Sequence, residues 1–258
     1  MILAIDIGNT NIVIGCIEGE QVRFVERVST NLSKTELEYV VEFRTLFELY
    51  HIGLEDITGS IISSVVPPLN NIVNAALEKL FHEAPLMVGP GLKTGLNILM
   101  DNPGKLGADL VVNAVAGLNY YGAPIILIDM GTATTISVVD DKKNYIGGMI
   151  LPGVKVSLDS LVNRTSQLPR ISLEAPKKII GRNTIECMKS GIVMGQAACL
   201  DGMIERIFDE LGYEAPVVAT GGLSGSIVPY CKKEIISDNE LTLKGLGIIY
   251  HKNLDKVL

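Results

Sequence analysis

The chain of 258 residues contains no tryptophan, only four cysteines and only three histidines. The cysteines, at 16, 187, 199 and 231, form no Cys-x-x-Cys pair, and no histidine stands at ligand spacing beside them. That excludes a zinc-finger type of site and a disulfide framework. They read instead as reduced core or surface thiols of a cytoplasmic protein. His51, His82 and His251 are isolated near the ends of expected helices and read as structural or solvated. Positive charge is also scarce: 22 Lys and Arg stand against 29 Asp and Glu, for a net charge of −7, and no basic cluster occurs. Nucleic acid is therefore excluded as the main partner, since backbone phosphates call for concentrated Lys and Arg. No apolar run reaches the roughly 18–20 residues of a membrane span. The sequence enters a strand pattern at once, with no basic leader, so neither a membrane nor a secretory role is expected.

What is present is an ordinary globular balance, 47 % hydrophobic and 20 % charged. The length allows one large or two smaller domains, each with its own core. The most informative feature is a signature that occurs twice. Asp6-Ile7-Gly8-Asn9-Thr10 follows the apolar run Ile2–Ile5, and Asp129-Met130-Gly131-Thr132-Ala133 follows Pro124–Ile128. Such runs read as buried strands. Each signature leads into a second β-rich stretch, Asn11–Ile17 and Thr134–Val139. The device is strand, turn, strand, with a carboxylate at the tip and glycine two residues on. Glycine lets backbone approach a ligand closely. Turn amides and threonine hydroxyls donate to phosphate oxygens. A carboxylate at the mouth holds the metal that neutralises a triphosphate.

The rest of the pattern repeats as well. Strands are expected over 2–6, 12–17 and 21–28, with helix caps in Thr30–Ser33. An amphipathic helix follows (Leu37, Val40, Val41, Phe43, Leu46, Phe47, Tyr50), then a strand over 60–66 and a helix over 68–82. The second half offers strands over 124–129, 133–139 and 144–150, and a helix from Pro152-Gly153 to 163. A long helical stretch over 183–211, a strand over 216–219 and a closing helix over 241–252 complete it. Residues 164–180, polar and proline-bearing, read as an exposed flap or loop. The shared β-β-β-α-β-α order predicts an α/β fold made by internal duplication, with domains at 1–116 and 117–258. A ligand cleft is expected between them, since domain interfaces commonly hold ligands.

These residues resemble the type III pantothenate kinases, a branch of the acetate kinase/sugar kinase/Hsp70/actin superfamily. The likeness spans essentially the whole chain. Its carriers are the two phosphate motifs from Asp6 to Asn11 and from Asp129 to Thr134, and the adenosine motif Thr220-Gly221-Gly222. Further matches are Ser63-Ser64-Val65-Val66-Pro67-Pro68, Val88–Gly91, Gly147-Gly148 with Pro152-Gly153, and Leu241–Leu246. The resemblance implies two ribonuclease-H-like (actin/sugar-kinase-like) domains in a cytoplasmic homodimer. The implied reaction is transfer of the ATP γ-phosphate to the primary hydroxyl of pantothenate, at the head of coenzyme A synthesis. ATP contacts would come from Asp6, Gly8, Asn9, Thr10, Asn11, Gly131, Thr132, Gly221 and Gly222. Asp6 would serve the nucleotide's Mg2+, and a monovalent cation, K+ or NH4+, would sit near Asp129. Asp109 would be the catalytic base, and the pantothenate side would comprise Met100, Gly107, Ala108, Asp109, Leu110 and Thr184. From the sequence alone, Asp109 is equally a helix cap before Leu110–Val115.

Two positions depart from the family pattern, both on the acceptor side. Leu110 stands where the family has arginine (Gly-x-Asp-Arg), and Met100 stands where it has tyrosine. Arginine supplies bidentate, charge-assisted bonds to a carboxylate, and leucine supplies none. Three readings follow: another cation compensates (Lys105, Arg164 or Arg182), the acceptor is a related small alcohol, or the chain is a catalytically weak or regulatory paralogue that binds nucleotide or a coenzyme A precursor.

Overall fold

The computed structural model describes residues 1–254, and the chain divides into two compact units: residues 1–120 with the chain from Glu240 onward, and Tyr121–Asn239. In chain order the first stretch comprises β1 (Ile2–Ile7), β2 (Asn11–Glu18), β3 (Gln21–Ser29), α1 (Glu36–Leu49), β4 (Ser60–Ser64) and α2 (Pro67–Phe81). The short strands β5 (Leu86–Met87) and β6 (Asn97–Ile98) and helix α3 (Ala108–Tyr120) follow. The second unit holds β7 (Ile125–Met130), β8 (Ala133–Val139), β9 (Asn144–Pro152), α4 (Val154–Arg164), α5 (Thr184–Lys189) and α6 (Gly195–Leu211). It ends with β10 (Val217–Thr220), α7 (Ser224–Ile227) and β11 (Ile236–Ser237), after which α8 (Leu241–Asn253) returns to the first unit.

That return is where the structure differs from the 116/117 division, which falls inside α3. Residues 255–258 of the expected second domain lie outside the described residues. The reason is packing. Leu243, Leu246 and Ile249 of α8 join Ile2, Ala4, Ile61 and Val112 in one buried cluster. Each such aliphatic side chain, fully buried, contributes about 1.5–3 kcal/mol.

In the first unit the strand order is β3-β2-β1-β4-β5, and in the second β9-β8-β7-β10-β11. The senses also match. β1 and β7 each pair antiparallel with the strand that follows and parallel with β4 and β10 respectively. Even the irregularities recur: the register slips between Cys16 and Ile17 in one meander and between Val138 and Val139 in the other. Duplication is therefore visible within each unit taken by itself.

The central strands read as unbroken apolar runs because both of their faces are covered. On β1, Leu3, Ile5 and Ile7 enter the cluster of α1 and α2, which includes Tyr39, Phe43, Leu69 and Leu77, while Ile2 and Ala4 face α3 and α8. In the second unit Ile126, Ile128 and Met130 pack with Ile192, Leu200 and Ile204. Local signals account for the helix ends. α1 is capped at Thr35, not within Thr30–Ser33: the Thr35 N–H and hydroxyl both donate to Glu38, at 2.7 and 2.8 Å. These bonds hold the Glu38 carboxyl below its usual range. α2 starts where the Ser64 hydroxyl accepts from Val66 N–H at 3.1 Å, just before Pro67. His82 ends it in the left-handed conformation at φ 57°.

The expected long helix over 183–211 is three pieces, with a π-helical turn, Ser190–Met194, joining α5 to α6. Residues 165–183 carry no regular element, as expected of a loop, but they are fastened rather than flap-like. Leu168, Ile171 and Leu173 pack on the core of the second unit. Ser190 Oγ donates to Ile179 O at 2.5 Å, and Lys189 meets Glu174 at 2.7 Å.

α3 and α8 approach closely at Gly245, where an added Cβ would lie 2.3 Å from the Val112 carbonyl oxygen. Gly245→Ala is expected to cost about 1–3 kcal/mol through this overpacking, against a smaller helix-propensity gain. It should lower the calorimetric Tm by several degrees, whereas Gly89→Ala, with nothing within 4 Å of the new methyl, leaves it unchanged.

Candidate active site

Each unit builds one hairpin tip. In the first, β1 ends on Asp6 and Ile7, and the turn closes with Gly8 N–H donating to Asn11 O at 3.0 Å. An added Cβ at Gly8 would sit 3.0 Å from that same oxygen, so the tight turn favours glycine. Thr30 anchors the turn from the end of β3. Its hydroxyl donates to Gly8 O at 2.6 Å, and its N–H donates to Thr10 O at 2.9 Å. Asn9, Thr10 and Asn11 are exposed. Thr30, expected as a helix cap, thus holds the phosphate-type turn. No local motif signals that role, because it comes from strand pairing (Asn11 opposite Ser29).

In the second unit, β7 delivers Asp129 and the turn closes with Gly131 N–H donating to Ala133 O at 3.0 Å. Two neighbouring backbones are pressed against it. A Cβ on Gly153, the residue before α4, would lie 2.1 Å from Thr132 O. A Cβ on Gly221, which has φ +93°, would lie 2.6 Å from Asp129 Oδ1 and from Met130 N. The turn after β10 is also bonded to the tip strand, Leu223 N–H donating to Met130 O at 3.2 Å. The structure therefore brings Asp129, Gly131, Thr132 and Gly221 of the expected nucleotide set together, with Gly222 next in the turn. Gly221 is a contact glycine, placed where a side chain would collide with the Asp129 carboxylate, whereas Gly222 has open space around it. Gly153 opens α4, as expected.

The donor set fits a phosphate-bearing ligand on one further ground. Among the described residues three buried side-chain polar atoms lack a hydrogen-bond partner, Glu42 Oε2, Ser63 Oγ and Thr134 Oγ1. Two of these lie at the tips: Ser63 pairs in register with Asp6, and Thr134 is two residues beyond Thr132. Buried hydroxyls left open in this way are rare and call for a partner that a ligand, or a side chain turned by one, would supply. Neither tip is a ready-made cage for a bare metal ion. No cluster of three or more His, Cys, Asp or Glu side chains exists among the described residues.

Asp109 lies in the first unit, second residue of α3. Its Oδ1 accepts from the Leu110 N–H at 2.9 Å. The cap reading is thus partly right, since the carboxylate does serve the helix start. An added Cβ at Gly107 would be 2.4 Å from the same oxygen, so a side chain there would displace the Asp109 carboxylate. Burial raises the carboxyl above its ordinary value, opposed by the Leu110 N–H and the residue's own amide. α3 is held by α8, with the Thr242 hydroxyl donating to buried Asn113 at 2.8 Å. Asn113 lies one helical turn beyond Asp109, on the same face. Leu110 and Ala108 are half-buried, and Met100 is 36 % exposed. Lys105 closes the exposed turn Pro103–Lys105 just before α3. Arg164 and Arg182, both exposed, and Thr184, the first residue of α5, belong to the second unit.

The four cysteines are free. Cys16 is buried, its thiol pushed up to about 12 by loss of solvent. No helix among the described residues is long and apolar enough to cross a membrane.

A twice-built five-stranded α/β unit with an Asp-x-Gly turn after its central strand defines a fold class, the duplicated actin/sugar-kinase-like α/β fold. Solved structures share this fold. A Baf family protein of Campylobacter jejuni matches with TM-score 0.59 and 18 % identity, covering 98 % of this chain and 100 % of that one. Component A of the (R)-2-hydroxyglutaryl-CoA dehydratase of Acidaminococcus fermentans matches with TM-score 0.57 and 14 % identity, covering 96 % of each. Sequence narrows the class. The type III pantothenate kinase family matches over residues 2–206. A type III pantothenate kinase of Halalkalibacterium halodurans is 45 % identical over 254 residues, 98 % of this chain and 100 % of that protein. One of Brevibacillus brevis is 46 % identical over 253 residues, 98 % and 99 %. The chain belongs to the type III pantothenate kinase family.

The raised Asp109 carboxyl has a consequence for stability. A carboxyl that is harder to ionise folded than unfolded destabilises the fold at every pH above its folded pKa. This penalty fades as the pH falls through that pKa and is gone below the ordinary carboxylate value. Asp109→Asn should therefore unfold at a higher temperature than the parent at neutral pH. The two melting curves should converge as the solution is acidified below the ordinary range of aspartate, as read by thermal melts at a series of pH values.

Proposed function

We propose that the chain transfers the γ-phosphate of ATP to the primary hydroxyl of pantothenate, giving 4'-phosphopantothenate and ADP, the first step of coenzyme A synthesis. The observation that carries this reading is near-full-length identity of 45–46 % with relatives named type III pantothenate kinases. The geometry of the tips and of Asp109 supports it.

The chemistry asks little covalent work of the protein. Positioning and neutralisation of charge account for most of phosphoryl transfer. Asn9 and Thr10 on the first tip, and Thr132 on the second, donate to phosphate oxygens. Gly8, Gly131, Gly221 and Gly222 keep the backbone close, and Asn11 supplies the carbonyl that closes the first turn. Asp6 would hold the divalent ion carried by the nucleotide, and Asp129 the monovalent cation. Mg2+, when bound, would supply neutralisation of the charge that develops on the phosphate oxygens. Asp109 accepts a hydrogen bond from the pantothenate hydroxyl. As the hydroxyl oxygen bonds to the γ-phosphorus and the bond to the β-phosphate oxygen breaks, the proton passes to the carboxylate. A carboxyl raised by burial is the better acceptor for that proton, and the Leu110 N–H keeps it ionised and aimed. Gly107, Ala108, Met100 and Thr184 complete the acceptor side in this reading. The reading extends to a cytoplasmic homodimer. Exposed Ile150, Ile179 and Ile180, each more than 70 % exposed, supply apolar surface for a second copy.

Half-buried Leu110 favours a second reading, in which the acceptor is a related alcohol without the carboxylate. One experiment addresses both. ADP release with Mg2+ and K+ should depend on pantothenate, and Asp109→Asn should lower kcat by at least about 100-fold. Leu110→Arg should tighten pantothenate about 10- to 100-fold if the carboxylate faces this position. A panel of small alcohols in which another acceptor outperforms pantothenate would move the assignment to that alcohol. Absence of turnover with every acceptor would remove the kinase assignment.

A further inference from the structure

The pairing of β1 with β4 is parallel and in register, Ala4 opposite Ile61, Ile5 opposite Ile62 and Asp6 opposite Ser63. Partners in such a pair point to the same face. The packing agrees: Ala4 and Ile61 share the cluster with α3 and α8, while Ile5 and Ile62 share the cluster with α1 and α2. Asp6 stands two residues beyond Ala4, and Ser63 two beyond Ile61. Their side chains therefore emerge side by side on the α3 and α8 face, at neighbouring-strand distance of about 4.8 Å between backbones. Ser63 is fully buried at 0 % exposure, and its hydroxyl has no hydrogen-bond partner among the described residues. A stranded hydroxyl costs the fold about 1–3 kcal/mol. Alanine would fill the position without that cost. The second unit repeats the arrangement, with Thr220 opposite Asp129 in the parallel pair of β7 and β10, also buried at 3 %. In both units, then, a hydroxyl on the parallel neighbour stands beside the tip carboxylate.

Resting on the kinase reading of the site, we propose that Ser63 is a positioning residue for the metal-bearing carboxylate. When the magnesium nucleotide is bound, the Ser63 hydroxyl donates its hydrogen to one oxygen of Asp6 and leaves the other oxygen fixed toward the ion. A turn about one side-chain bond brings Ser63 Oγ from its unpartnered rotamer to Asp6. The bond is worth most when both oxygens are in use, because an ion held by a freely rotating carboxylate loses part of its affinity to side-chain entropy. Ser63 touches neither the nucleotide nor the reacting atoms in this scheme.

Calorimetric titration with Mg·ADP, alongside thermal melts of the free protein, tests it. Ser63→Ala should weaken Mg·ADP about 10-fold, the scale of one hydrogen bond to a charged group. The same variant should melt at the parent's temperature or above, since it discards an unsatisfied buried hydroxyl. With ADP in EDTA, parent and variant should bind alike. Ser60→Ala removes a buried hydroxyl three residues earlier on the same strand (5 % exposed) and should leave Mg·ADP binding unchanged. The proposal is overturned if Ser63→Ala binds Mg·ADP as tightly as the parent while Asp6→Asn does not. It is overturned equally if the loss persists without metal, or if Ser60→Ala matches it. A parent protein that fails to bind Mg·ADP at all would remove the kinase reading, and this inference with it.

Discussion

Each unit depends on one short backbone hydrogen bond: Gly8 N–H to Asn11 O in the first, Gly131 N–H to Ala133 O in the second, both at 3.0 Å. The bond forces the chain to reverse directly after a strand that is buried on both faces. A strand of that kind cannot carry a carboxylate in its middle without a large desolvation cost. It can carry one at its last turns, where the sheet ends. The reversal therefore fixes where the carboxylate stands, and the parallel neighbour in register fixes what stands beside it. Glycine suits the first reversal because a Cβ there would press on the closing carbonyl at 3.0 Å. The Asp-x-Gly spacing is thus a consequence of ending a fully buried strand in the tightest available turn.

Much of this was legible in the sequence because the governing contacts are local. The β1–β2 and β7–β8 hairpins, the amphipathic α1, the proline start of α2 and the β-β-β-α-β order all arise from spacing within a few residues, and the observed elements match them to within a residue or two. The misreadings share a different cause. Thr30 reads as a helix cap by its neighbours in sequence, yet it is held by strand pairing across to Thr10 and Gly8. α8 follows β11 in the chain, yet its leucines match the unfilled face of β1, 240 positions earlier. Residues 164–180 read as an exposed flap or loop by composition, and the loop is there, but its apolar anchors Leu168, Ile171 and Leu173 find a core that no local rule describes. Ser63 opens the run Ser63-Ser64-Val65-Val66-Pro67-Pro68, whose local pattern gives it no role. Its burial without a partner and its register with Asp6 are both three-dimensional facts.

Asp109 shows how a single position serves two demands that conflict. At the second residue of α3 a carboxylate is favoured by the helix dipole and by the Leu110 N–H. Half-burial opposes it and raises the carboxyl. A fully solvated aspartate there would be more stable and a weaker proton acceptor. The fold retains the cost by fastening α3 from behind, through Thr242 on Asn113 and the close approach of Gly245 to Val112. The C-terminal helix thus fixes the position of Asp109 through α3, although it makes no direct hydrogen bond to that carboxylate among those the structure shows.

The two tips, similar in strand order and sense, are locked by different means. In the first, a side chain does it: the Thr30 hydroxyl meets the Gly8 carbonyl from the far strand of the meander. In the second, backbone does it: Gly153 lies against Thr132, and Gly221 lies against Asp129 and Met130. A lock made by a hydroxyl can be weakened by small steps, as when threonine becomes serine or valine. A lock made by close backbone approach tolerates no side chain at either glycine, since an added Cβ would lie 2.1 Å from Thr132 O at Gly153 and 2.6 Å from Met130 N at Gly221. One tip is therefore adjustable and the other rigid. The rigid tip belongs to the unit that carries the glycine-rich Thr220-Gly221-Gly222 turn, and the adjustable one to the unit that carries Asp109, Met100 and Leu110.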